Sequence, residues 1–479
     1  MSDFQLADAP YLTMVELGRA YRDGSLSPVE VTAHLLERIE SYDGRLHAFI
    51  ELTRERALAE AGAAEAAFKA GLERGPLHGI PYAVKDLYNV KGLATTAGTH
   101  LLADNIAEAD CAAVERLAAA GMVLLGKTHT VQFALGIIGV NHDHGTPHNP
   151  WKETPHIPGG SSSGSAVAVA SGLTPIALGS DTGGSVRAPA ALCGTVGLKT
   201  TVGRIGRHGV FPLCWTLDSV GPLTRSVEDA ALVYQALQGE DVRDDSTRGV
   251  APHDTLLTLR RGVKGLRIAI GETSFFDDAD PEVEAAVREA GKVFGSLGAQ
   301  VESIEIPEVE RANNTPELRA IILAEAVTLN RRLVEDHADE LDPVVLEPLK
   351  TGQGMTAVQY AGGLRAARQL QADVLETLRD VDAVLVPTTR LPARPLEQVD
   401  ASIESYFQHY PGYLGNTLVG NYLNLCGVAL PCGFTRGGLP IGLLVYAKPF
   451  QEDVALRVAR AYEQATDWLA RHPDLSWAG

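Results

Sequence analysis

Twenty-nine residues, Gly159 to Arg187, read GGSSSGSAVAVASGLTPIALGSDTGGSVR and restrict the fold more than any other part of the chain. Two glycine-serine clusters flank a run of small residues, Ser165–Gly172, that continues into Thr174–Ser180, which reads as a short buried strand. Small side chains at this density let two backbones pack closely. A flexible linker is the ordinary reading of Gly-Ser sequence, but a linker does not carry Val167, Val169, Leu173, Ile176 and Leu178 between its glycines. After the strand comes Asp181-Thr182-Gly183-Gly184-Ser185. Successive glycines let a backbone turn sharply and aim several N–H groups at one point, as an oxyanion hole requires. Ser185, at the tip of that turn, is the candidate nucleophile.

A serine hydroxyl needs a base to take its proton. In HGIPYAVKDLYNV the apolar run Ile80–Val84 predicts a buried strand, and Lys85 falls at its end. Desolvation there lowers a lysine pKa and makes the neutral amine a base near neutrality. The plainer alternative is a surface lysine paired with Asp86.

With these residues in place, the chain resembles the amidase signature hydrolases along nearly its whole length. Their pattern joins a lysine after a GIP-type strand to a serine in a GGSS cluster and a second serine in a D-x-GGS cluster. Here these are Lys85, Ser161 and Ser185. The resemblance implies that Lys85 is the base, Ser161 the serine that relays the proton, and Ser185 the nucleophile. It also implies a cis peptide between Gly160 and Ser161, and an oxyanion hole from the N–H groups of Thr182, Gly183, Gly184 and Ser185. Gly160, Asp181 and Arg187 then act as structural supports. The chain departs from the usual pattern at Ser163, where glycine is common, at Thr201, where proline is common, and at Gln132, where an acidic residue is common.

The sequence has 479 residues, 45% hydrophobic and 21% charged, a balance expected of a soluble globular protein. Its formal charge of −19 repels nucleic acid and anionic lipid. Five scattered cysteines, Cys111, Cys193, Cys214, Cys426 and Cys432, read as reduced core residues. The N-terminus lacks the basic start and apolar core of a signal peptide, and no stretch is long and apolar enough to span a bilayer. A cytoplasmic protein with no membrane or nucleic-acid partner is expected.

Thr13 to Glu16 and Ser27 to Glu30 are capping-box signals, the second with Pro28 at the first helical position. With the alanine-rich stretch Leu52–Gly71 they predict a helical arm over residues 1–72. From Ile80 onward, strands alternate with helices. The predicted strands are Ile80–Val84, Met122–Leu125, Ile176–Leu178, Leu266–Ile270, Val301–Ile306, Ala383–Val386, Val428–Leu430 and Ile441–Tyr446; the predicted helices include Glu108–Ala120, Pro281–Leu297, Pro316–Glu335 and Met355–Arg379. The fold class is α/β: over residues 73–479, one large catalytic unit with a central mixed, largely parallel sheet covered by helices on both faces.

Two other patterns compete for function. Gly121–Thr128 matches the GxxxxGK[ST] phosphate loop, but Met122–Leu125 reads as a buried strand that would lie inside that loop. His142, His144, His148 and His156 precede the first serine cluster in a Gly/Pro/Asn-rich run without a helical ligand pair. They read as a loop at the pocket mouth rather than a metal site. Phe211, Leu213 and Trp215, together with Gln132, are assigned to the substrate pocket.

The expected activity is hydrolysis of C–N bonds in aryl or small amides, and in carbamates (urethanes), by a monomer or homodimer that needs no cofactor or metal. The resemblance leaves a second possibility, the glutaminase component of a tRNA-dependent amidotransferase. Against it, the segment over residues 331–368 resembles the helical insert of stand-alone amidases.

Overall fold

The computed structural model describes residues 4–479. Eleven strands build one sheet: β1 (Phe49–Leu52), β2 (Pro81–Lys85), β3 (Val123–Thr128), β4 (Ile176–Asp181), β5 (Val196–Lys199), β6 (Ser219–Thr224), β7 (Arg267–Gly271), β8 (Gln300–Ile304), β9 (Ala383–Pro387), β10 (Cys426–Phe434) and β11 (Pro440–Ala447). Their spatial order is β1-β3-β2-β4-β6-β5-β10-β11-β9-β7-β8. All eight predicted strands are present, within a few residues of the expected bounds. Helices flank the sheet in one large α/β domain.

The sheet is mixed, but its parallel share is smaller than the strand–helix alternation suggests. Parallel ladders join β2 to β3 and β4, and β7 to β8 and β9. The centre, through β4, β6, β5, β10, β11 and β9, is antiparallel. Part of the difference comes from β5 and β6, which carry no strand signal because Gly197, Gly221 and Pro222 read as turn residues, and the rest from the antiparallel pairing of β11 with β10 and β9. Gly221 is required by close approach: a Cβ there would sit 2.1 Å from the Leu198 carbonyl oxygen. Pro222 is tolerated because β5 pairs only with Leu223 and Thr224, so that ladder stops short of it.

The opening segment is not all helical. Helices Met14–Asp23 and Pro28–Leu46 begin at Thr13 and Ser27 as expected, each side chain accepting backbone N–H groups of the first turn. Between them and helix Arg54–Lys69, however, β1 pairs antiparallel with β3 and forms the edge of the main sheet. Four residues are too few to show a period of two against helical neighbours.

The run after the first serine cluster, to which the sequence alone assigns no conformation, is resolved by the structure. Ser163–Ala170 is an α-helix, every residue of it buried. An apolar run of this length has no polar face to reveal its period, so strand and helix look alike in sequence. Alanine's high helix propensity settles the conformation, and the small side chains admit the contact: a Cβ on Gly164 would lie 2.2 Å from the Ala48 oxygen. Val123–Thr128 is a fully buried strand, so the phosphate-loop match is not a loop at all.

Candidate active site

Strands β2 and β4 are parallel neighbours, and they deliver Lys85 and Asp181 to the same edge of the sheet. The first serine cluster is threaded beside them. Gly160 N donates to the Ile137 oxygen at 2.7 Å, Val131 N to the Ser161 oxygen at 3.2 Å, and Ser162 N to the Ser185 oxygen at 3.3 Å. The two clusters are thus bound to each other through backbone. The Gly160–Ser161 peptide is cis, as the resemblance implies. Gly160 has no room for a side chain, since a Cβ would fall 2.8 Å from Gly139 N and 2.9 Å from the Gly136 oxygen.

Lys85 is fully buried, and its Nζ lies 2.7 Å from Ser161 Oγ and 3.0 Å from Ser180 Oγ. Burial pulls its pKa from 10.5 down to about 7, against the opposing charges of Asp218 and Asp181. The pairing with Asp86 does not occur. That carboxylate lies 2.5 Å from Lys127, and both side chains are buried. A lysine with a pKa near 7, a substantial fraction of it neutral at that pH and next to a serine hydroxyl, has the properties of a general base.

This arrangement opposes stability. Between pH 10.5 and about 7 the unfolded chain binds a proton at Lys85 that the folded one does not, so its contribution to stability falls as pH drops through that window and levels off below it. Lys85→Met should therefore be at least as stable as the parent at pH 7.5, with a shallower pH slope between pH 7.5 and 10. Thermal unfolding at several pH values measures this; a strong loss of stability in the variant would contradict it.

Ser185 stands on the turn between β4 and helix Arg187–Cys193. Asp181 organises that turn. Its Oδ1 accepts from Gly184 N at 2.9 Å and its Oδ2 from Val186 N at 3.1 Å, while Arg187 grips both oxygens at 2.8 and 3.0 Å. Burial alone would raise the carboxyl pKa, but the Arg187 charge and hydrogen bonds from Arg187 and Asn421 hold it well below the usual range. Arg187 reaches on to Tyr446 at 2.7 Å. These contacts suit the supporting role expected of Asp181 and Arg187.

They also correct the expected oxyanion hole. Gly184 N–H is already engaged by Asp181, which leaves the N–H groups of Thr182, Gly183 and Ser185 without an acceptor among the described residues. Gly184 has φ +133°, and a Cβ on it would lie 2.1 Å from Thr417 Oγ1. Gly184→Ala should cost about 2–5 kcal/mol in backbone strain and overpacking. A lower midpoint of thermal unfolding is the expected result, and an unchanged one would contradict this reading of the turn.

Ser162, at the centre of a Gly160-x-Ser162-x-Gly164 run, is fully buried with its Oγ 3.4 Å from both the nitrogen and the oxygen of Ser180. It is a structural serine. Ser185 is 5% exposed and opens into a cavity of about 140 Å³. A cavity of roughly 150 Å³ accepts a benzene ring.

Of the residues assigned to the pocket, only Leu213 lines this cavity. Phe211 and Trp215 line a neighbouring cavity that includes Ser180 and Asp218, and Trp215 is 44% exposed. The chain turns at this point because Asp218 accepts the N–H groups of both Leu213 and Cys214, at 2.9 and 3.0 Å. Gln132 is fully buried and its Oε1 accepts from Asp342 N at 3.0 Å, so it is structural.

The wall comes instead from two helices, Glu317–Leu329 and Ile403–Tyr422. Phe407, Tyr410, Leu414, Leu418 and Tyr422 recur at helical spacing and face the cavity. Leu414 and Leu418 press on Gly183, where a Cβ would meet them at 3.4 and 3.2 Å. That stripe was the available sequence signal, but it reads as ordinary core.

The histidine-rich loop does not line the cavity. His142 is clamped between Asp342 at 2.9 Å and Asp400 at 2.8 Å, and hydrogen bonds to these two carboxylates lift its pKa to about 10. His148 packs on Trp477, and His156 contacts the Thr154 oxygen at 2.7 Å. His144 joins His100 and Asp143 in a group with ligand atoms close enough for a metal ion. The two imidazoles are stacked, 3.9 Å apart and 15° from parallel. In-plane lone pairs on parallel rings do not converge on one ion, so this arrangement does not make a tetrahedral site.

The family model for amidases matches residues 30–456. A glutamyl-tRNA(Gln) amidotransferase subunit from Chromohalobacter salexigens is 36% identical over 96% of this chain and 98% of its own length. The peptide amidase of Stenotrophomonas maltophilia is 31% identical, with a TM-score of 0.85 over 98% of this chain and 100% of that one. A structure described as a vestigial protein complex that reveals the origins of an s-triazine catabolic enzyme is 33% identical, with a TM-score of 0.88 over 95% and 98% of the two chains. With the family model matched over most of its length and relatives matched end to end, the chain belongs to the amidase signature family.

Proposed function

We propose that the protein is an amidohydrolase that cleaves aryl and other small apolar carboxamides, and aryl carbamates, through an acyl-enzyme on Ser185. The observation that carries this reading is the setting of Ser185: a buried lysine–serine pair in the segment whose backbone is hydrogen-bonded to it, and a cavity lined mostly by apolar side chains.

Neutral Lys85 takes the Ser161 proton as Ser161 takes that of Ser185, whose oxygen attacks the carbonyl carbon. The N–H groups of Thr182, Gly183 and Ser185 hold the oxyanion. Lys85, now protonated, returns its proton through Ser161 to the leaving nitrogen, and the C–N bond breaks. Water then attacks the acyl-enzyme by the same relay in reverse, releasing the acid and restoring Ser185. The substrate is a small molecule, and the chain acts as a monomer or homodimer without a cofactor. Among the described residues no helix is long and apolar enough to cross a membrane, and we place the protein in the cytoplasm.

A second reading is the glutaminase component of an amidotransferase. It is favoured by the end-to-end match to relatives named as subunits of glutamyl-tRNA(Gln) amidotransferase. Against it, glutamine carries an α-ammonium, and the cavity lining contains no carboxylate among the described residues to receive one. An unpaired ammonium in an apolar wall carries a desolvation penalty.

The test compares an acyl p-nitroanilide, a phenyl carbamate and L-glutamine, reading amine or ammonia release. Anilide kcat/KM should exceed that for glutamine by about 100-fold or more. If glutamine is the best substrate, the glutaminase reading replaces this one.

A further inference from the structure

The loop over residues 213–218 stands between two cavities. Among the described residues Leu213 alone lines both the Ser185 cavity, of about 140 Å³, and the neighbouring one, of about 240 Å³. The catalytic groups are divided in the same way. Thr182, Gly183 and Ser185 line the first, whereas Ser180, whose hydroxyl is 3.0 Å from Lys85 Nζ, lines the second. The second cavity offers apolar surface from Leu87, Val210, Phe211, Pro212 and Trp215. Its arginines are already paired, Arg207 with Asp244 at 3.0 Å and Arg243 with Asp241 at 2.9 Å.

Two carboxylates fix this loop. Asp218 accepts the N–H groups of Leu213 and Cys214 at 2.9 and 3.0 Å, and also the Thr182 hydroxyl, which ties the loop to the nucleophile turn. The second is Glu325, fully buried on helix Glu317–Leu329. It accepts from Thr216 N at 3.0 Å, the Cys214 thiol at 3.1 Å, the Tyr360 hydroxyl at 2.8 Å and the Thr216 hydroxyl. A carboxylate taken out of water is costly unless its oxygens are hydrogen-bonded, so these donors stay in place and the loop stays with them. The same helix puts Ile322 and Leu323 on the wall of the Ser185 cavity, and Glu325 thereby fixes the spacing between that wall and Leu213.

We propose that Leu213 determines specificity as a rigid partition, held in place by Glu325 as its positioning residue. It ends the Ser185 cavity at about the size of one aromatic ring and keeps substrate out of the neighbouring cavity. The substrates are then amides whose cavity-filling group is one ring, or an aliphatic group of that size. Two-ring groups are rejected by shape and not by the chemistry at Ser185. A loose loop would yield to the larger group, but this one moves only by breaking hydrogen bonds to two charged acceptors, which are stronger than those between neutral groups. Leu213 and Glu325 take no part in bond breaking. This inference rests on the amidohydrolase reading and names the size class of its substrates.

The experiment uses the p-nitroanilides of benzoic acid and of biphenyl-4-carboxylic acid, assayed with the parent, Leu213→Ala, Leu213→Val and Glu325→Gln. The quantity read is the ratio of kcat/KM for the two-ring substrate to that for the one-ring substrate, which a partial loss of folded enzyme does not move. In the parent the one-ring anilide should be preferred by about 100-fold or more. Leu213→Ala should raise the ratio by about 10-fold or more, through a gain on the biphenyl anilide, and Leu213→Val by less, because it removes less of the partition. Glu325→Gln keeps the shape but turns one acceptor into a donor that faces donors, and should shift the ratio in the same direction by about threefold. A parent that hydrolyses both anilides equally, or a ratio unchanged in Leu213→Ala and Leu213→Val, would overturn the partition while leaving the amidohydrolase reading intact. A ratio unchanged in Glu325→Gln alone would overturn the positioning role of Glu325. If the parent and the variants hydrolyse neither anilide, the amidohydrolase reading fails and the partition falls with it.

Discussion

Ser185→Ala should lower kcat for anilide hydrolysis by about 10⁴- to 10⁶-fold while leaving the fold unchanged. The loss is this large because the covalent step itself disappears. The residual rate then comes from substrate binding and the N–H groups of the turn, which the substitution leaves in place. Ser185 is 5% exposed and its hydroxyl makes no hydrogen bond that holds the turn, whereas Asp181, Arg187 and Thr417 do. Structure and activity should therefore separate cleanly, with parent-like thermal unfolding beside near-zero turnover. Ser162→Ala is the control: a fully buried serine in the first cluster whose loss should leave turnover within about tenfold.

The second large effect is at Lys85. Lys85→Met should reduce kcat by about 10²- to 10⁴-fold, the range of general-base catalysis. Lys85→Arg should fall in the same range despite keeping the charge, because a guanidinium does not deprotonate in a protein. In the parent, only the neutral amine accepts a proton, and its pKa lies near 7. The rate kcat/KM should therefore rise from pH 5 toward a plateau above pH 8. In Lys85→Met that limb should vanish from whatever activity remains. A parent-like acid limb in the variant would show that another group titrates, and the base would have to be sought elsewhere.

Much of this site was legible in sequence for physical reasons. Lys85 stood out because an apolar strand ending in lysine predicts desolvation, and the structure places its Nζ against Ser161. The nucleophile turn stood out because consecutive glycines allow a φ such as the +133° of Gly184. What failed was the link from nearness in sequence to nearness in space. Phe211 and Trp215 follow the serine clusters in the chain, yet they face a different cavity because Asp218 folds that loop back. Beyond residues 134–137 and Leu213, the residues that enclose Ser185 lie more than 130 positions later, most of them on two helices, and the apolar stripe of Ile403–Tyr422 has the same period as any core-facing helix. Gly184 N–H illustrates a subtler limit: sequence showed a glycine turn rich in donors, but not which of them the Asp181 carboxylate had already taken. The strands β5 and β6 stayed hidden because proline and glycine mark turns unless neighbouring backbones demand them.

The central claim, a covalent acyl-enzyme on Ser185, is tested most directly by mass spectrometry of the protein after reaction with a fluorophosphonate probe. The account predicts a single adduct on the peptide that carries Ser185, absent in Ser185→Ala and strongly slowed in Lys85→Met. Labelling of another serine, or an adduct that persists in Ser185→Ala, would contradict it.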